Sequence, residues 1–491
     1  MGPGILLLCL TVGRTPGMIW DSVEYCAAAG SIASHGTLVT PLAAGSFDGQ
    51  FDAAGHVIRS HPLVLWPPGY SLLIAAAVKV FSVPVLTGAV IVNAAALAAL
   101  LLTVWWLIRR ATDPTTAGAV TMVFGVLPVV QGLFRMVLSE SVFLALCGAA
   151  LVSLVWWTED PSSRLYRSWL AAIAIGASIN VRFTGAFLVG LHALIASWIV
   201  LRNDHARARW PGIALSVLAG PTIGAAFLIH RVMTLGCLFC EPRLTSAQSF
   251  TANVRALVVA LFQSLPAVYE LIPGPADTAI SLIALTLLLW LAARGSAHPP
   301  DHDARTASPF VLALLFSAIY ASGLLFIRTV VEFNSLDTRL ASPVCLPLVA
   351  VGLTAAFHRV PPTRRLPVAT LLAAMFVTTS LVSTVRSEAW RGLTDRSLSR
   401  TPFVRYAADH LRNRPGVMVF SNEASLLAAQ LRFDGPIYWL GNRGPFLKAG
   451  EEGIVMVRNL GDDKRATLDN MARKITDADG FTVWELSRPS F

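Results

Sequence analysis

Charge is what this 491-residue chain has least of: Asp, Glu, Lys and Arg make up 14% of it, against 55% hydrophobic residues. A soluble globular domain carries roughly 25% charge, so a single soluble domain is excluded, and so is disorder, which needs low hydrophobicity. Lysine is nearly missing. Only Lys79, Lys448, Lys464 and Lys474 are found among 38 basic residues, an arginine bias that, with the many alanines, suggests a GC-rich bacterial genome. Six cysteines are too few for a disulfide framework. Cys237-x-x-Cys240 is the one pair with metal-like spacing, and no second pair accompanies it. The net charge of +9 is spread over short loops rather than gathered on one face, which argues against nucleic acid. Ionisable groups are almost absent from the middle of the apolar runs, and the two halves of the chain show no internal repeat. Ion-coupled transporters need such groups or broken helices near the bilayer midplane.

What is present is a division by composition. Residues 386–491 contain 16 Lys+Arg and 13 Asp+Glu, a density normal for a soluble domain. Residues 1–385 hold the long apolar runs. The composition therefore predicts a polytopic α-helical membrane protein with a small extracytoplasmic α/β domain at its C-terminus. Runs of about 20 apolar residues predict helices near Pro3–Trp20, 84–108, 114–134, 138–157, 168–181, 183–201, 210–231, 275–293, 308–327, 340–357 and 366–385, about eleven in all. Arginines in alternate short loops (Arg109 and Arg110, Arg164 and Arg167, Arg202 to Arg209, Arg294 and Arg305, Arg359 to Arg365) mark one side as cytoplasmic. The N-terminus is then inside, and the large first loop (21–83) and the tail are outside. Pro67-Pro68 opens a helix well. The segment 67–81 is about 22 Å long, too short to cross about 30 Å of hydrocarbon, and it places Tyr70, Leu73, Ala77 and Phe81 on one face. It reads as an interfacial helix.

The candidate residues gather at the outer ends of these runs. In Trp20-Asp21-Ser22-Val23-Glu24-Tyr25 a helix puts Asp21, Glu24 and Tyr25 on one face. Asp21 as N-cap with Glu24 three residues on also forms a capping-box pattern. Two carboxylates at a membrane surface suit equally an acceptor arriving from water to meet a donor in lipid. The stretch 21–66 of the same loop adds Asp48, Asp52, His35, His56 and His61, with Arg59 the only basic residue there. Glu140 stands where a helix enters the membrane. There Ser139 or Glu140 could satisfy free N–H groups, or Glu140 could orient an acceptor or hold a divalent cation. Arg182 and Arg339 lie at the same outer level. Interfacial arginines often snorkel to headgroups, and their planar fork also fits a phosphate bidentately.

Together these motifs resemble the integral-membrane glycosyltransferases of the GT-C fold, particularly the bacterial branch related to protein O-mannosyltransferases and the lipid A aminoarabinose transferase. The resemblance is carried by five stretches. They are Asp21-Ser22-Val23-Glu24-Tyr25 after the first run, the stretch from His61 through Trp66-Pro67-Pro68-Gly69-Tyr70, the entry Leu138-Ser139-Glu140-Ser141-Val142-Phe143, Arg182 after a short run, and Asp337-Thr338-Arg339-Leu340-Ala341-Ser342-Pro343 before a late one. It implies a polyprenyl-phosphate sugar donor, a glycan, lipid or protein acceptor outside the plasma membrane, and inversion at the anomeric carbon. It implies Asp21 as the principal catalytic carboxylate, with Glu24 and Glu140 beside it. Arg182 and Arg339 would serve the donor phosphate, and Tyr25, His61 and Tyr70 the substrates. A divalent cation (Mg2+ or Mn2+) on Asp21 and Glu140 is compatible with that scheme. The competing functions are a transporter or flippase for a lipid-linked sugar and a membrane glycan polymerase; a polymerase should carry its large outer loop late, whereas here it comes first.

In the tail, Thr401-Pro402 starts a helix with Phe403, Ala407 and Leu411 in register. Strands are expected at Val417–Phe420, Pro436–Leu440, Ile454–Val457 and Phe481–Leu486, with helical stretches at 422–432 and 462–475. No phosphate loop, triad or metal cluster is visible there, which suits an acceptor-binding or lid module.

Overall fold

Prolines punctuate the helical part of the molecule, and the strongest of them breaks a helix that its apolar length alone would have left straight. The structure, a computed structural model, describes residues 2–12, 16–40, 61–63, 66–160, 165–236, 246, 248–264, 308–331, 336–386, 402–413, 418–421, 437–439, 452–458, 473–478 and 481–487. The expected helix at 275–293 lies outside the described residues, as do Cys237, Cys240, Asp48, Asp52, His56, Arg59 and Asp277.

The chain divides into two compact units. The first comprises residues 1–13, 91–238 and 242–386. Its described helices are α1 (Gly2–Val12), most of α4 (Val85–Ala111), α5 (Pro114–Val126), α6 (Pro128–Arg135), α7 (Glu140–Glu159), α8 (Tyr166–Val181), α9 (Phe187–Arg202), α10 (Asp204–Ala208), α11 (Trp210–Leu235), α12 (Phe250–Ser264), α13 (Pro309–Val330), α14 (Thr338–Arg359) and α15 (Pro362–Arg386). Among the described residues six helices are long and apolar enough to cross a membrane, or up to seven if α5 and α6 count as one broken span. The protein is thus a multi-pass helical membrane protein.

Three expectations about the helical runs need correction. The first run does not make one long helix: α1 has 11 residues, about 16 Å at 1.5 Å each, and a second helix begins at Trp20. Between them stand Gly13 and Pro16, poor helix formers both. The run 114–134 is bent by 55° between α5 and α6, because Pro128 lacks an N–H and its ring clashes with the preceding turn. The buried Gln131 bridges the break, its Nε2 donating to the Gly125 carbonyl at 2.6 Å and to the Gly4 carbonyl at 3.0 Å. A Cβ on Gly4 would stand 2.7 Å from the Gly125 oxygen, so only glycine lets α1 approach this closely. Helix α12 was not expected at all; it buries Leu257 and Ala260 against Leu336, Leu340 and Ala341.

Helices α8 and α11 pack through glycines: a Cβ on Gly176 would meet Ile223, and one on Gly224 would meet Ile179, both at 2.6 Å. At the far end of the bundle from Glu140, Asp113 caps α5 by accepting from the N–H groups of Thr115 and Thr116. It also receives Arg365 of α15 at 2.6 Å.

The second unit comprises residues 14–90, 239–241 and 387–491. Helix α2 (Trp20–His35) packs on α3 (Gly69–Phe81), and β1 (Val39–Thr40) pairs antiparallel with β2 (His61–Pro62). The buried side of α3 is Tyr70, Ser71, Ile74, Ala75 and Ala77. Leu73 and Phe81, expected with Tyr70, are instead exposed together with Leu72 and Val80. An exposed apolar face of this kind suits contact with lipid. The tail has α16 (Pro402–Asn413), which buries Phe403 and Ala407. It also has β3 (Met418–Ser421), β4 (Ile437–Trp439), β5 (Glu452–Arg458), β6 (Arg473–Ala478) and β7 (Phe481–Ser487). The sheet order is β4-β3-β5-β7-β6, with β3 parallel to β4 and β5, and β7 antiparallel to β5 and β6. Strand β6 starts where the helical stretch 462–475 was expected to end. Pairing with β7 decides the backbone of Arg473 and Lys474, as tertiary context commonly overrides local pattern.

Candidate functional site

In the first unit the sequence candidates Glu140 and Arg182 come together. Ser139 is the N-cap residue of α7, yet its hydroxyl makes no capping bond. It accepts instead from Arg182 Nη1 at 3.1 Å, and the same nitrogen lies 2.8 Å from Glu140 Oε1. The side chains of the pair are 3% and 13% exposed for Glu140 and Arg182. The capping reading of this entry therefore gives way to an ion pair.

The loop before α7 is held by the buried Asn93 of α4. Its Nδ2 donates to the carbonyls of Phe134 and Met136, at 3.1 and 2.6 Å, and its Oδ1 accepts from Ser141 Oγ at 2.7 Å. Arg182 is the extended residue (φ −150°, ψ 132°) between α8 and a 3-10 turn at Phe183–Ala186. That turn closes by the Gly185 N–H donating to the Arg182 carbonyl at 2.9 Å. A Cβ on Gly185 would stand 2.5 Å from Ser178 Oγ, so a glycine is needed for the close approach. A buried charge pair costs desolvation that its attraction barely offsets. Its retention by so many supporting bonds marks Arg182 as a guanidinium held in a fixed direction.

Arg339 is held separately. Asp337 caps α14, with Oδ1 accepting the Leu340 N–H at 3.0 Å and Oδ2 receiving Arg339 Nε at 2.8 Å. Cap and ion pair use the two carboxylate oxygens of one residue.

In the second unit, helix α2 places Asp21, Glu24 and Tyr25 on one face, as their spacing requires. Asp21 is not the N-cap. The helix already includes Trp20, the N-cap is Ile19, and Ser22 Oγ accepts the Ile19 N–H at 3.0 Å. Asp21 sits in the first turn, where a negative charge is favoured by the helix dipole. Tyr25 is buried edge-on against Tyr70, ring centres 5.2 Å apart, and lies 6.0 Å from the Trp66 ring. His61 pairs with Thr40 across β1 and β2. Burial pushes the Cys26 thiol up to about 12, which keeps it protonated and unreactive.

Several participants carried no signal in the sequence. Tyr320 on α13 donates to Thr184 Oγ1 at 3.1 Å. Asn93 and Gln131 are lone amides in apolar runs. His192 on α9 is fully buried, with Nε2 2.9 Å from Ser168 Oγ, which lies 2.6 Å from Ser216 Oγ. Among the described residues no group of three or more His, Cys, Asp or Glu is placed to hold a metal ion. Glu140 also fits a divalent cation poorly, because its carboxylate already carries a guanidinium whose charge opposes a second cation.

No protein-family model matches the chain, and no curated protein matches it in sequence. Solved structures match it in fold. ArnT from Cupriavidus metallidurans, in the apo state and bound to undecaprenyl phosphate, superposes with a TM-score of 0.62 at 12% identity, covering 98% of this chain and 96% of that one. Arabinofuranosyltransferase AftD from Mycobacteria gives a TM-score of 0.53 at 14% identity, covering 100% of this chain and 41% of that one. The chain shares the GT-C fold of these membrane transferases.

Proposed function

We propose that the protein is a glycosyltransferase of the plasma membrane, moving a sugar from a polyprenyl-phosphate donor to an acceptor hydroxyl at the outer face. The observation that carries this reading is the directed guanidinium of Arg182, 13% exposed and paired with the buried Glu140 at 2.8 Å, in a fold shared with a transferase that binds undecaprenyl phosphate. A planar guanidinium suits a phosphate better than an ammonium does. Asp21 takes the proton of the acceptor hydroxyl. The acceptor oxygen bonds to the anomeric carbon, and the bond from that carbon to the phosphate oxygen breaks. The electron pair leaves on the polyprenyl phosphate, with inversion. Arg182 and Arg339 balance the charge that grows on the phosphate. Glu140 aims Arg182, and Glu24, Tyr25, His61 and Tyr70 serve the acceptor or sugar. No step is assigned to a divalent cation. The loop arginines support a cytoplasmic N-terminus and an extracytoplasmic domain 386–491. A flippase for the same lipid is the rival; among the described residues the long spans of the first unit carry few charges, which does not favour it.

The test is Asp21→Asn. It keeps side-chain size in the first turn and removes the basicity. Purified protein should bind undecaprenyl phosphate as the wild type does, while sugar transfer measured by mass spectrometry of envelope products falls on the order of a hundredfold. Wild-type transfer by a well-folded Asp21→Asn variant would remove Asp21 from the chemistry.

A further inference from the structure

Tyr320 stands in the middle of an apolar helix, where phenylalanine would pack as well and leave no hydroxyl to satisfy. Its ring is fully buried among aromatic neighbours. It lies edge-on to Phe187 at 5.3 Å and tilted against Phe316 at 5.8 Å and Phe143 at 6.1 Å. A buried hydroxyl in such surroundings costs free energy unless it is bonded. The bond it makes is to Thr184 Oγ1, 3.1 Å away and 136 residues distant in sequence. Thr184 is the second residue of the 3-10 turn that follows Arg182.

The contacts therefore converge on one short turn. From α7, Ser139 and Glu140 hold the guanidinium itself. From α11, the Ile223 carbonyl accepts Asn180 Nδ2 at 2.9 Å, two residues before Arg182. From α13, Tyr320 holds the turn two residues after it. Gly323, one turn along α13, has no room for a Cβ because the Phe187 ring fills that space. The glycine lets α13 lie close enough for Tyr320 to reach Thr184.

We propose that Tyr320 is a positioning residue for donor binding: through Thr184 it fixes the turn that aims Arg182, without touching the donor. This rests on the reading that Arg182 binds the donor phosphate. Its removal costs preorganisation, so the loss falls on affinity for a polyprenyl phosphate rather than on the fold.

The experiment measures binding of undecaprenyl phosphate to the full-length protein in detergent, with thermal unfolding alongside. Tyr320→Phe should raise Kd about threefold to tenfold, the range expected for one hydrogen bond. Thr184→Val should do the same, Thr184→Ser should restore wild-type binding, and the Tyr320→Phe/Thr184→Val double variant should be no worse than either single. In an Arg182→Lys background Tyr320→Phe should cost nothing further, because the group it aims has lost its fork. Wild-type Kd for both Tyr320→Phe and Thr184→Val would overturn the proposal. So would an undiminished Tyr320→Phe effect in the Arg182→Lys background, which would mean that Tyr320 acts through general packing. Failure of the parent reading shows separately, as wild-type Kd in Arg182→Lys alone, and takes the proposal with it.

Discussion

Two arginine–carboxylate pairs in the first unit look alike on paper and differ in what surrounds them. Asp113–Arg365 joins α5 to α15, and every group in it has structural work. Asp113 caps a helix through two N–H groups and accepts from Thr116 Oγ1 at 2.7 Å. Arg365 also reaches Thr116 Oγ1 at 2.8 Å and the Val360 carbonyl at 2.9 Å. Glu140–Arg182 is the opposite case. Its carboxylate caps nothing, although it begins a helix, and the hydroxyl at the cap position turns to the arginine. A charge pair woven into helix termini is a staple. One that leaves its helix start uncapped and is braced from three helices holds its guanidinium in a fixed direction.

The sharpest way to break this contrast is to delete each carboxylate. Glu140→Ala should destabilise the protein by about 3–5 kcal/mol, the cost of removing the buried carboxylate partner of a largely enclosed ion pair, read by unfolding in detergent. Removing both charges in Glu140→Ala/Arg182→Met should recover most of it. If Glu140→Ala is silent, the pair is already solvated and the contrast fails. Arg182→Lys and Arg365→Lys sharpen it on the functional side. The first should weaken undecaprenyl phosphate binding about tenfold, and the second should leave Kd unchanged. Equal effects from the two would put the phosphate somewhere other than Arg182.

The smallest effect is expected at Asp113, whose side chain is 41% exposed. Asparagine caps about as well as aspartate, so Asp113→Asn should cost at most about 1 kcal/mol, an amount set by solvent screening of the ion pair. The carboxyl is held down at about 2. Partial desolvation works against this, but the hydroxyl and N–H of Thr116, the Arg365 guanidinium and the Thr115 N–H outweigh it. Because the folded value lies below the unfolded value near 4, the pair's contribution is present above about pH 4 and fades as pH falls towards 2. Asp113→Asn should therefore flatten an unfolding profile in that window and nowhere else.

The helical membrane character was legible because it rests on hydropathy and composition, which the long apolar spans carry. Asp21, Glu24 and Arg182 stand out as candidates because charge is scarce in apolar sequence. What stayed hidden depends on partners far along the chain. Tyr320 and Asn93 are unremarkable letters until Thr184 and Ser141 stand opposite them. The buried side of α3 could not be read from spacing, since apolar residues lie all round it and the packing of neighbouring elements, α2 among them, decides which are covered. Asp21 resembles a cap because the capping-box spacing starts the helix at Ser22, two residues late; the helix starts at Trp20, and Ser22 accepts the Ile19 N–H there.

The clasp made by Gln131 has a consequence for the order in which the molecule comes together. It links Gly4 to a residue 127 positions later, and it supplies a donor to a carbonyl left at a proline break inside apolar surroundings, where an unpaired peptide group costs several kcal/mol. The described helix α1, Gly2–Val12, rests against the α5–α6 break, so this seat exists only once α5 and α6 have been made. During synthesis α1 must wait for a later turn of the chain, and a single glutamine amide marks the moment when the wait ends.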